Sequence, residues 1–269
     1  MAALVSVCIP AYNNADTIRA TIESVMSSDY EDIEIIVVDD CSVDDTYVEA
    51  CGIADPRISV YRNEKNLGMA GNWNRCLSLC HGEYVRLLCA DDRIDPDLIG
   101  REVAVLDSEP SVVMVSSDTA FIDESGRVVG HYDRYHRSGA VSGKSIVRFS
   151  FFTRDYLGAP LANLFRKSAA GEFDAGFSYI IDYDFFVGIA LRGDVYIIRE
   201  RKNYFMLRAG SNTSAVLSGG DSAAYVDEHK RLVKKYAAQL GQSGFGQWLS
   251  VMIRRVTVVL GGVYLKWKK

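Results

Sequence analysis

Short, unbroken apolar runs mark the first third of the chain, and amphipathic stretches separate them. Leu4-Val5-Ser6-Val7-Cys8-Ile9 is the first run and stops at Pro10. From Asp16 the period lengthens, with Ile18, Ile22, Val25 and Met26 on one helical face. Glu34-Ile35-Ile36-Val37-Val38 reads as a second buried strand, closed by Asp39-Asp40. Residues 44–53 follow as helix, 58–61 as a third strand and 71–79 as helix. A fourth strand over 84–89 ends in Asp91-Asp92, and Pro96 suits the first turn of the next helix.

Strands apolar on both faces and separated by helices predict a mostly parallel sheet flanked by helices, an α/β fold. Ligands of such sheets bind beyond the carboxyl ends of the strands. The polar clusters Asn13-Asn14, Asp39-Asp40 and Asp91-Asp92 all fall there. The second half is less regular. Short strands are expected at 112–115, 120–122, 128–129 and 195–198, with a turn at Glu124-Ser125-Gly126 and helices over 182–191, 223–240 and 245–267. The pattern divides the chain into a main domain over 1–215, with a regular half (1–96) and a less regular half (97–215), and a basic helical extension over 216–269.

Charge sharpens that division. The 269 residues carry a net −5, yet nine Lys or Arg and no Asp or Glu follow residue 228, so an acidic body of −14 precedes a basic tail. Within 245–267 the polar positions Gln247, Ser250, Arg254, Thr257 and Gly261 recur at helical spacing, with Trp248 and Trp267 near the ends. A basic amphipathic helix with terminal tryptophans suits an anionic membrane surface; packing on the catalytic domain and a homodimer interface are the alternatives. No apolar run approaches the roughly 20 residues that span a bilayer, and residues 1–10 read as a strand rather than a leader. A cytoplasmic protein, peripheral on the inner face of the membrane, is the expected location. Six cysteines lie in the first third; only Cys76 and Cys80 are close, with His81 beside them, and no second pair completes a zinc site. Reduced, buried thiols are expected instead.

Two acidic pairs at neighbouring strand ends repel one another unless a cation sits between them or a proton is retained. Mg²⁺ or Mn²⁺ prefers hard oxygen ligands and shares them with substrate phosphates; helix capping explains one such pair more readily than two. Neither GxGxxG after the first strand nor GxxxxGK[ST] occurs, which disfavours dinucleotide oxidoreductases and P-loop enzymes.

The segments Val5-Ser6-Val7-Cys8-Ile9-Pro10-Ala11-Tyr12-Asn13, Val37-Val38-Asp39-Asp40-Cys41-Ser42, Asn66-Leu67-Gly68, Gly82-Glu83-Tyr84 and Ala90-Asp91-Asp92 occur in the order and rough spacing of family 2 glycosyltransferases of the GT-A fold. The resemblance covers residues 4–215 and is strongest up to Pro96; it implies that 1–215 is a catalytic domain, with a nucleotide-binding half (1–96) and an acceptor-side half (97–215). It implies a transferase that uses a nucleotide-sugar donor, UDP-sugars foremost, and a saccharide or lipid-linked acceptor in bacterial surface polysaccharide synthesis, with inversion. Nucleic acid is not an expected partner. It further implies that Tyr12 stacks on the base, Asp40 accepts from its edge with Asp39 assisting, Asp91 faces the ribose, and Asp92 binds the metal. Pro10, Asn66, Gly68 and Asn72 complete the implied nucleotide site. In Ile180-Ile181-Asp182-Tyr183-Asp184-Phe185-Phe186, Asp182 aligns with the family's base, Asp184 being the second choice and a helix cap the competing role.

Arg208 with Ser211 resembles a late loop near the diphosphate. The chain departs from the family where Cys89 replaces an acid, Trp73 a basic residue and Ile181 the acid before the base. A same-fold nucleotidyltransferase and a non-catalytic sugar-nucleotide binding protein are the alternative functions.

Overall fold

The computed structural model describes residues 3–133, 136–153, 155–208 and 222–267, with side chains to residue 257. Strands β1 (Val5–Ala11), β2 (Ile33–Asp39), β3 (Ile58–Arg62) and β4 (Tyr84–Leu87) alternate with helices α1 (Ile18–Met26), α2 (Thr46–Cys51) and α3 (Gly68–Leu79). There follow β5 (Arg93–Ile94), α4 (Leu98–Ser108), β6 (Val112–Ile122), β7 (Val128–Tyr132), β8 (Gly139–Ser142), α5 (Gly143–Phe152) and β9 (Asn163–Arg166). The chain continues with α6 (Ile181–Ala190), β10 (Asp194–Met206), α7 (Ser222–Leu240) and α8 (Gly244–Trp267).

One sheet runs β3-β2-β1-β4-β9-β6-β10-β5, with β7 beside β6 and β8 beside β10. Pairing is parallel from β3 through β4 and again between β6 and β10, while β9 and β5 run against their neighbours. The period-two alternation feeds two cores. Val5, Val7 and Ile9 pack with Ile18 and Ile22 of α1 and Leu98 and Leu106 of α4. Cys8, Ile36 and Val38 face the opposite way, against α3, α5 and α6. Leu232, Val233, Tyr236 and Leu240 of α7 complete that second core, so this helix of the extension packs on the rest of the fold.

The sequence pattern breaks where polar side chains are buried. The strands expected at 112–115 and 120–122 are one strand, β6, because Ser116 to Thr119 are buried within the sheet. Asn203 donates to Ser117 Oγ at 2.6 Å, which satisfies two of these groups without water. For the same reason β10 runs on past 198 to Met206. Arg199 and Arg201 point outward on this strand, Arg201 pairing with Asp133 at 2.6 Å, while Asn203 turns in. Arg86, in β4, is fully buried, paired with Glu102 and donating to Asn203 at 3.0 Å. Helix α5 and the short strands β5, β8 and β9 escaped the pattern altogether.

Candidate functional site

Asp39 and Asp40 are adjacent yet serve different loops. Asp39, fully buried, accepts the Ser42 N–H and hydroxyl and pairs with Arg62 Nε at 3.1 Å. Asp40 Oδ1 accepts Asn63 Nδ2 at 2.6 Å and the Leu67 N–H at 2.8 Å, and its Oδ2 accepts the Gly68 N–H at 3.0 Å. Asn66 Oδ1 also accepts the Gly68 N–H, at 2.9 Å, in a turn whose φ of 72° at residue 68 suits glycine. Asn63 Nδ2 reaches Asn72 Oδ1 at 3.0 Å, and Asn72 donates to Val38 O at 3.1 Å. Asp40, Asn66, Gly68 and Asn72 therefore meet in one network, and Asn63, which the sequence reading missed, is its hub; Asp39 joins it through its backbone, its O accepting the Asn63 N–H at 2.8 Å.

Pro10 is buried in β1, opposite Val38, and Tyr12, just beyond, is half exposed at the rim. Asn13 has φ of 53° and Cys41 has φ of 60°, uncommon conformations for side-chain-bearing residues that shape both loops. The loops are laced together. Asn13 N–H donates to Ser42 Oγ at 2.9 Å, Asn13 Oδ1 accepts the Val43 N–H, and Asn14 N–H donates to Thr46 Oγ1 at 2.7 Å.

The acidic corner lies beyond β4. Thr17 donates to Ala90 O at 2.9 Å and fixes the turn. Asp92 is 1% exposed; its Oδ1 accepts the Met206 N–H at 3.1 Å from the carboxyl end of β10. Its Oδ2 is buried without a donor among the described residues. Burial, and then Asp91, push the Asp92 carboxyl well above the usual carboxylate range. Burial raises Asp91 as well, with Arg208 opposing. Asp182, in the first turn of α6, is pushed up to about 6 by burial and then by Asp155. The Cys89 thiol is raised by burial and by the fields of Asp92, Asp91 and Asp182, which places all four in one neighbourhood. Ser211, expected beside Arg208, lies outside the described residues.

Asp182 is not a conventional helix cap. Its Oδ1 accepts the N–H of its neighbour Tyr183 at 2.8 Å and its Oδ2 accepts the Ala159 N–H at 3.2 Å. Asp184 faces away, paired with Lys235 at 2.8 Å and nearly buried, so the second-choice base is engaged elsewhere. Trp73 also lies outside this corner, edge-on to Phe173 at 5.0 Å in the lower core. Cys76 and Cys80 are buried free thiols near Cys8, and His81 turns to Glu34 at 3.1 Å.

Among the described residues no three His, Cys, Asp or Glu side chains are grouped to hold a metal by themselves. The open Oδ2 of Asp92 still fits Mg²⁺ or Mn²⁺, which needs only one or two carboxylates when substrate phosphates supply the rest.

The family model described as Glycosyl transferase family 2 matches residues 6–169. An uncharacterized protein of Mycobacterium tuberculosis is 30% identical over 232 residues, covering 80% of this chain and 70% of its own. The UDP-Glc:alpha-D-GlcNAc-diphosphoundecaprenol beta-1,3-glucosyltransferase WfaP of Escherichia coli is 37% identical over 127 residues, 47% of this chain and 50% of WfaP. The structure of S. aureus TarS 1-349 in complex with UDP-GlcNAc superposes with a TM-score of 0.67 at 20% identity, covering 88% of this chain and 66% of TarS 1-349. The chain thus spans half of WfaP and just under two thirds of that TarS fragment.

Proposed function

This chain belongs to glycosyl transferase family 2, has the GT-A fold, and on that premise we propose that it moves a sugar from a UDP-sugar to a hydroxyl of a saccharide or lipid-linked acceptor, with inversion, in surface polysaccharide synthesis. The observation that carries this reading is that two unlike carboxyl groups, Asp92 and Asp182, both act on Cys89 beyond the sheet. Asp92 is buried with one oxygen open. Asp182 is part-exposed, with a pKa of about 6 suited to general-base work near neutrality.

Tyr12 stacks on the base, and Asp40, whose Oδ2 among the described residues takes only the Gly68 N–H, keeps acceptor capacity for the base edge. Asp39, Pro10, Asn66, Gly68 and Asn72 shape the loops around the nucleoside, and Asp91 faces the ribose. Asp92 would hold Mg²⁺ or Mn²⁺, which supplies charge neutralisation for the departing diphosphate when bound. Asp182 takes the acceptor hydroxyl's proton from the face opposite the leaving group, which is why inversion follows.

A same-fold nucleotidyltransferase needs a basic, glycine-rich loop after β1, where this chain has Asn13-Asn14-Ala15-Asp16. The test is a thermal-shift panel of UDP-, GDP- and dTDP-sugars with and without Mn²⁺. Stabilisation by UDP-sugars that requires Mn²⁺ is the expected result; metal-independent stabilisation, or none, overturns it. Asp182→Asn then separates a transferase, which loses turnover and keeps donor binding, from a binding protein with no turnover to lose.

A second proposal concerns location: a peripheral attachment of α7 and α8 to the cytoplasmic face of an anionic membrane. Ser250 and Arg254, expected to be solvent-facing, point inward and bond to Phe151 O and Ser150 O, which leaves Phe245, Trp248 and Val256 of α8 outward. Lys230, Lys234 and Arg255 line the groove of about 410 Å³ beside Trp248. No helix among the described residues is long and apolar enough to cross a membrane.

A further inference from the structure

Ile180 stands at the N-cap of α6, and the turn over 178–180 leads the backbone into that helix. Glu228 of α7 is 5% exposed and reaches this turn from about fifty positions later in the chain. Its Oε1 accepts the Ser178 N–H at 2.8 Å, and its Oε2 accepts the N–H groups of Tyr179 at 2.9 Å and Ile180 at 3.2 Å. Three successive backbone donors converge on one carboxylate, an anion-binding nest just ahead of the helix that is filled here by an acid of the chain itself.

Asp182 lies two residues beyond Ile180. Among the described residues its carboxylate is held only by the Tyr183 and Ala159 N–H groups, so its direction follows the path of the backbone over 180–183. Helix α7 fixes that path at further points. Arg231 donates to Gly176 O at 2.6 Å, Lys235 pairs with Asp184 at 2.8 Å, and Tyr236 OH donates to Asp184 O at 3.2 Å. Arg231 also lies 3.5 Å from Glu228 and keeps its carboxylate company.

We infer that Glu228 is a positioning residue for Asp182, so that α7, from the basic extension, completes the catalytic centre. The inference rests on the reading of Asp182 as the base. A carboxylate that binds the turn leading into the base aims the base without touching substrate, and a displacement of about 1 Å at such a group costs roughly 100-fold in rate.

The test uses the full chain carrying Glu228→Gln, which keeps the volume and removes the charge. Should that variant not fold, Glu228→Asp, which keeps the charge at shorter reach, takes its place. Amide exchange is followed by NMR at Ser178, Tyr179, Ile180 and Ala159. The Ala159 N–H is the informative one, because it is remote in sequence from residue 228 and is bonded to Asp182. Exchange at Ala159 is expected to quicken about tenfold together with that of 178–180. UDP release from UDP-glucose, with water as acceptor, is expected to fall about 10- to 100-fold in kcat with KM within twofold.

Unchanged protection at Ala159 while 178–180 open overturns the inference and leaves Glu228 a local tie of that turn. So does a parallel loss of melting temperature, kcat and donor KM, which marks general loosening. The exchange arm decides the matter even where UDP-glucose is not turned over. Asp182→Asn separates the two readings. Retained UDP release in that variant removes the base, whereas abolished release beside an unaffected Glu228→Gln removes only the positioning role.

Discussion

Asp92 Oδ1 accepts the Met206 N–H at 3.1 Å, and Oδ2 of the same carboxyl is buried with no donor among the described residues. One oxygen is thus tied to the end of β10 and the other is free for a ligand. Burial and the neighbouring Asp91 make the ionised form costly in the free protein. Asp92→Asn relieves that cost, so the metal-free variant is expected to melt no lower than the wild type at pH 8. It is also expected to lose the Mn²⁺-dependent stabilisation by UDP and about 100-fold or more of turnover. Differential scanning fluorimetry with and without Mn²⁺ and UDP checks this. A metal-dependent shift of wild-type size in the variant would sink Asp92 as the ligand.

Asp182 sets the pH dependence. Its folded pKa of about 6, raised by burial and then Asp155, lies above the ordinary value of 3.8. The folded state therefore binds this proton more tightly than the unfolded state, and the stability it gains is present at low pH and lost as pH rises from about 4 to about 6. Activity moves the opposite way, because the base must be ionised. kcat/KM for a UDP-sugar is expected to rise about tenfold per pH unit up to a bend near 6 and then level. An acidic limb that bends below pH 4.5 would show that another group is titrating.

The Asp40 carboxylate closes the loop over 63–68 onto the end of β2. Asp40→Ala strands the Asn63 side chain and the Leu67 and Gly68 N–H groups. Three bonds to a buried anion are lost, and the expected destabilisation is about 3 kcal/mol in urea unfolding. Asp40→Asn keeps an acceptor and is expected to lose less. A variant as stable as the wild type would show that the loop is held elsewhere.

These contacts explain what was legible in advance. The parallel first half could be read because β1, β2 and β4 are mostly apolar, whichever face a residue lies on, and stop at polar ends. The short motifs were legible as a family pattern, yet several of their residues serve the backbone. Asn66 and Gly68 build a turn. Gly82 is required because a Cβ there would lie 2.6 Å from Leu4 O and 2.7 Å from Ser6 N. Asn63, Ala159 and Glu228 were not legible. Asn63 acts through a side-chain network, Ala159 through its backbone N–H, and Glu228 from a helix about fifty residues away, none of which leaves a local pattern. Buried polar residues such as Ser117 and Asn203 misled the reading for a related reason, since a period of hydrophobicity cannot register a polar group satisfied inside the sheet.

The inverted polarity of α8 gives the last prediction. Phe245 and Trp248 are 69% and 57% exposed and stack on one another at 5.8 Å, while Ser250 and Arg254 of the same helix are buried. Two aromatic rings left in water next to Lys230, Lys234 and Arg255 match a surface that is apolar beneath and anionic above, as a lipid headgroup layer is. Flotation with vesicles of phosphatidylcholine and phosphatidylglycerol is the measurement, and binding is expected to weaken as salt rises. Phe245→Ala with Trp248→Ala removes about 3 kcal/mol of buried apolar surface and should weaken binding about 100-fold, with turnover in solution unchanged. Equal flotation of wild type and variant would remove the membrane. If sedimentation also showed a dimer that the two substitutions dissolve, a second copy of the chain would be the occupant of this face.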